Sequence, residues 1–77
     1  MSSAKRSGLS KGRIYALMQH LKAHEAMLIE ELEMLFDSTV PVIPNHTNYF
    51  DAVEDKLLDL AEYQGALDAL HKNFMED

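Results

Sequence analysis

Both prolines of the chain stand three residues apart in Thr39-Val40-Pro41-Val42-Ile43-Pro44-Asn45-His46-Thr47-Asn48. Each proline forces extended geometry on the residue before it, so no helix runs through this stretch. On either side the apolar residues recur at helical spacing. The chain is therefore expected to be all-α, an antiparallel helical hairpin. A lone hairpin buries only one stripe of each helix. Below about 70–80 residues, a single core usually needs disulfides, a metal or a partner. Cysteine is absent from the 77 residues, so disulfides are excluded. The expected solution is a second copy, with homodimerisation completing a four-helix bundle.

Residues 1–9 read as a flexible basic arm and residues 10–77 as the hairpin domain, with helix 1 over about 10–37, a loop over 38–48 and helix 2 over about 49–75. Ser10 suits an N-cap, with Leu9 and Ile14 placed as a hydrophobic staple. The first stripe is Ile14, Leu17, Met18, Leu21, Leu28, Leu32 and Leu35, with Ile29 and Phe36 alongside. Asn48, or Thr47, is the expected cap of helix 2. Its stripe is Tyr49, Val53, Leu57, Leu60, Gln64, Leu67, His71 and Phe74, alternating steps of four and three like a coiled-coil seam. Tyr63 and Leu70 widen it. Gly65 sits mid-helix, where glycine costs about 1 kcal/mol relative to alanine. It marks either a close helix approach or simple tolerance.

Helix 1 carries a second, weaker apolar line: Ala16, Ala23, Met27 and Met34, with His20 beside it. At 100° per residue it lies more than 100° from the centre of the main stripe. A hairpin closed on itself leaves that line uncovered, and methionine adapts well to binding surfaces. These residues are the candidate partner-binding face. On helix 2, Asp51, Glu54, Asp55, Asp59 and Glu62 form one acidic band. Its two readings are a solvated face and a docking surface for a basic partner.

Charge is uneven. Four of the seven basic residues, Lys5, Arg6, Lys11 and Arg13, fall in the first thirteen positions, and all thirteen acids lie beyond them. The overall net charge is −6. An acidic body argues against broad nucleic-acid binding. The basic cluster keeps a local version open, in which those four side chains contact phosphates.

Chemistry finds little purchase. His20 and His24 are one helical turn apart, a spacing that lets two imidazoles share a metal ion. A di-metal bundle draws Glu-x-x-His from two helices with further carboxylates. Here the nearest equivalent is Asp68 with His71, so no metal and no other cofactor is expected. The plainer expectation is that His24 and His71 border the core and that falling pH, by charging them, loosens the bundle. There is no nucleophile–base spacing and no glycine-rich phosphate loop. No apolar run approaches the roughly 18 residues of a spanning helix, and the first residues lead into no secretory signal.

The sequence thus points to a small, non-enzymatic, cytoplasmic regulator or inhibitor that binds itself and another protein, away from the membrane. A nucleic-acid-binding dimer using the basic arm is the alternative, and a metal-binding bundle the third reading. Deleting residues 1–8 separates the first two. Circular dichroism should show unchanged helix, because that stretch has no apolar periodicity to bury. If the arm binds nucleic acid, the deletion flattens the salt dependence of affinity by about one unit of slope per lost phosphate contact. The expected result is unchanged activity. A truncated protein that keeps its helices and loses all activity reverses that order.

Overall fold

The computed structural model describes residues 8–39 and 46–76. Helix α1 spans Lys11–Phe36 and helix α2 spans His46–Leu70. α2 runs on into a wider π turn, His71–Met75. The two helices pack against each other as a hairpin. The proline segment that divides the sequence lies, at residues 40–45, outside the described residues, as do Lys5 and Arg6 of the basic arm.

α1 starts where its sequence says. The Ser10 hydroxyl accepts a hydrogen bond from the Arg13 backbone N–H at 3.1 Å, satisfying one of the unpaired donors of the first turn. It ends at an aspartate. Asp37 Oδ1 accepts from the Thr39 backbone N–H at 2.9 Å and from Thr39 Oγ1 at 2.7 Å. An Asx turn of this kind folds the chain out of the helix. α2 begins at His46, ahead of the expected caps, so Thr47 and Asn48 lie inside its first turn.

The inward faces keep a strict alternation of four and three. On α1 it runs through Ile14, Met18, Leu21, Glu25, Leu28, Leu32 and Leu35, all half-buried or buried. On α2 it runs through Tyr49, Val53, Lys56, Leu60, Tyr63, Leu67 and Leu70. This corrects the expected seam at four positions, one of them Phe74, which is 48% exposed. Leu57, Gln64 and His71 are exposed, and their predecessors Lys56, Tyr63 and Leu70 face inward. The two phases share Tyr49, Val53, Leu60 and Leu67. Turning Tyr63 and Leu70 inward buries more apolar surface than Gln64 and His71 offer. The loss at Lys56 is small, because its methylene stem lies along the interface while the ammonium reaches Glu31 Oε1 at 2.9 Å.

The core is thin. Leu32, Val53 and Leu60 are buried, with Leu28, Leu35 and Tyr49 packed against them. The Tyr49 hydroxyl donates to the Leu35 carbonyl at 2.6 Å. That carbonyl belongs to the last turn of α1, where no intrahelical donor remains. Around the buried cluster, Leu17, Ile29, Phe36, Phe50 and Leu57 remain 38% exposed or more.

Gly65 marks no close approach. A Cβ built there meets nothing within 4 Å. Gly65→Ala should therefore raise stability by about 0.5–1 kcal/mol. Leu60→Ala, inside the thin core, should lower it by about 2–5 kcal/mol. Urea unfolding followed at 222 nm compares the two. A destabilised Gly65→Ala would show that position 65 is covered after all.

Candidate functional site

The hairpin has two long edges of opposite character. On one, the His24 ring stacks on Tyr63 with centroids 5.0 Å apart and planes 2° apart. Glu31 and Lys56 close the same edge one layer nearer the loop. Leu21, Asp59, Glu62, Tyr63 and Ala66 line a shallow open concavity of about 340 Å³ beside them. A second concavity of about 340 Å³ lies at the open end, between Lys11, Ile14 and Tyr15 of α1 and Phe74 and Met75 of the π turn.

The other edge is apolar in its loop-proximal half. Ile29 follows the inward Leu28 by one residue, and Phe36 follows Leu35. Phe50 likewise follows Tyr49, and Leu57 follows Lys56. In an antiparallel pair, the residue one step past the seam falls on the same edge of both helices, because each helix turns right-handed along its own direction. The register set by Lys56–Glu31 and Gln64–Glu25 puts Ile29 level with Leu57 and Phe36 level with Phe50. All four are exposed, Phe36 at 60% and Phe50 at 62%. The Phe50 ring meets Tyr49 edge-to-face at 5.3 Å. Beyond Leu57 the edge turns polar, where the Gln64 amide donates to Glu25 Oε2 at 3.1 Å. Exposure at these positions was not legible in the sequence, which placed Leu57 in the seam and Ile29 and Phe36 beside the main stripe and did not single out Phe50. The grouping depends on which of Lys56 and Leu57 turns inward.

The predicted partner-binding residues sit on the outer surface of α1. Ala16, His20 and Ala23 are exposed, and Met27 and Met34 remain 56% and 62% accessible. α2 covers none of them. The predicted acidic band, Asp51, Glu54, Asp55, Asp59 and Glu62, is exposed along α2. Of the basic residues, Lys11 and Arg13 are exposed in the first turn of α1.

His20 and His24 are brought together, ring centroids 4.7 Å apart in an edge-to-face pair. Among the described residues no group of three or more histidine, aspartate or glutamate side chains converges as a metal site would require. His24 borders the core as expected. His71 does not, and this corrects the second half of that expectation. The π turn carries it to the surface, where Nδ1 lies 3.1 Å from Glu76 Oε2. The wide turn closes with the Glu76 backbone N–H donating to the His71 carbonyl at 3.0 Å. It also turns Met75 towards the seam, leaving Phe74 at 48% exposure.

Among the described residues no polar or charged side chain is buried, and no helix is long and apolar enough to cross a membrane. No protein-family model, characterised protein or solved structure matches the chain.

One ionisable group stands apart. The Thr39 backbone N–H, and then its hydroxyl, hold the Asp37 carboxyl below its ordinary value of 3.8. A depressed folded-state value means that the turn's contribution to stability is present above the ordinary carboxylate range and fades as pH falls through the lowered value. Removing the hydroxyl in Thr39→Val should move the Asp37 titration, followed by NMR, part of the way back up. The larger backbone contribution stays. A titration unchanged by the substitution would show that the hydroxyl contributes nothing to the turn.

Proposed function

We propose that the protein is a small non-enzymatic regulator, of the inhibitory or adaptor kind, that acts by binding another protein through a helix face. The observation that carries this reading is the outward line of α1. Ala16, His20, Ala23, Met27 and Met34 lie on the side that α2 does not cover, with both methionines more than half exposed. An amphipathic groove or a facing helix recognises such a line through anchors spaced three, four and seven residues apart. Small alanines allow close approach, and the flexible thioethers fill the gaps. Open geometry supports the non-enzymatic part. Acid–base chemistry works best with paired groups shielded from water, and the concavities here are shallow.

The hairpin acts as a homodimer, and the two copies form a four-helix bundle. Support comes from the thin core and from the large apolar side chains left exposed beside it, Ile29, Phe36, Phe50 and Leu57.

Met27→Glu tests the partner face. It should abolish capture of the partner from extracts of the native host, while thermal stability stays within about 1 kcal/mol of the parent. A Met27→Glu protein that unfolds would make the line part of a core. A stable variant that still captures the same partner would remove the face from the function.

A further inference from the structure

We infer that His20 and His24 together form a surface chelate for one divalent transition-metal ion of the kind that binds its ligands at right angles, Cu²⁺ or Ni²⁺. The two lie four residues apart on α1, with ring centroids 4.7 Å apart and planes at 69°. The separation of the rings identifies the metal class. A metal–imidazole bond of about 2.0–2.1 Å places the ion about 3.2 Å from the ring centroid. Two imidazoles at 90° about one ion then have centroids about 4.5 Å apart, and at the tetrahedral angle about 5.2 Å. The observed spacing lies nearer the first value. Tetragonal nitrogen–oxygen sites suit Cu²⁺ and Ni²⁺, and imidazole is a good ligand for both.

The pair is prepared for an ion. His24 is half-buried, and its ring lies flat on Tyr63 with planes 2° apart. Its orientation is set before an ion arrives, which lowers the ordering cost of binding. His20 is exposed and turns about χ2, a torsion that is broad for histidine, so one of its nitrogens reaches the point that His24 faces. Among the described residues neither ring takes part in a hydrogen bond or an ion pair, so the ligand lone pairs are not already engaged. The surroundings favour a cation. Asp59 and Glu62 line the concavity beside the His24–Tyr63 stack, and Lys56 on the same edge is paired with Glu31. No third histidine or carboxylate joins the two rings among the described residues, so water fills the remaining positions. The site is open and exchangeable, unlike the closed cage of a structural zinc. The ring spacing exists only while α1 is helical, so a bound ion stabilises the helix. His20 also stands beside the methionine line, and an ion held there adds two positive charges to that face. The site does not depend on what that face binds.

Isothermal titration calorimetry of the full chain with Ni²⁺ alone tests the site. The wild type should take up one ion per chain, and saturating Ni²⁺ should raise its melting temperature. His20→Gln should weaken the affinity about 100-fold or more, since the second imidazole no longer binds at the effective concentration of a linked ligand. Circular dichroism should show its helix content unchanged, because His20 is exposed. His71→Gln removes a histidine from the far end of the other helix and should leave uptake intact. Gln19→His in the His20→Gln background restores the number of histidines but sets the pair five residues apart, about 140° round the helix. That double variant should stay weak. A wild type that binds no Ni²⁺ up to about 1 mM, or that keeps its affinity in His20→Gln, overturns the site. Loss of uptake in His71→Gln overturns it as well. So does full recovery in the double variant, because the number of histidines and not their spacing would then set the affinity.

Discussion

The burial of Leu32 against Val53 and Leu60 sets the rotational phase of both helices, and the surfaces follow from it. Val53 and Leu60 are seven residues apart, so they agree with either neighbouring phase of α2. Contact with α1 selects the phase that also turns Lys56, Tyr63 and Leu70 inward. With that choice made, the Tyr49 hydroxyl reaches the Leu35 carbonyl. The Lys56 ammonium reaches Glu31. Leu57 has no place left but the edge. A large apolar side chain is thus pushed outward because a lysine can snorkel where a glutamine or histidine would waste the interface.

One thin seam consequently generates four surfaces of different chemistry. One edge is polar and sealed by stacking and an ion pair. The other is apolar near the loop. The back of α1 carries small residues and methionine, and the back of α2 carries carboxylates. The two apolar surfaces lie on different sides of the rod. Covering one of them would therefore leave the other open.

Local signals were legible in the sequence and relational ones were not. Ser10 caps α1 as its residue type and position imply. The helix ends beside Asp37, within a residue of the expected boundary. The stripe of α1 held at Ile14, Met18, Leu21, Leu28, Leu32 and Leu35 but not at Leu17, which lies one step before Met18 and is 46% exposed. On α2 the pattern admitted two phases one residue apart, and Leu57 outscored Lys56 on hydropathy alone. Only the partner helix, with Glu31 level with Lys56, decides between them. Nor did the sequence reveal the π turn, because Asn73, whose amide donates to the Ala69 carbonyl at 2.8 Å, is unremarkable by composition. The start of α2 at His46 came earlier than the polar residues Thr47 and Asn48 suggested.

The three side chains buried among the described residues also govern how the hairpin responds to heat. Unfolding hydrates little apolar surface that was not already wet, and the heat-capacity increment scales with that newly hydrated area. The sensitivity to denaturant scales with it too. The free-energy curve of a single hairpin is accordingly flat, with a broad melt and little tendency to unfold in the cold. Whatever covers its remaining apolar surface sharpens that transition, so the cooperativity of melting reports occupancy of those faces as directly as any binding assay.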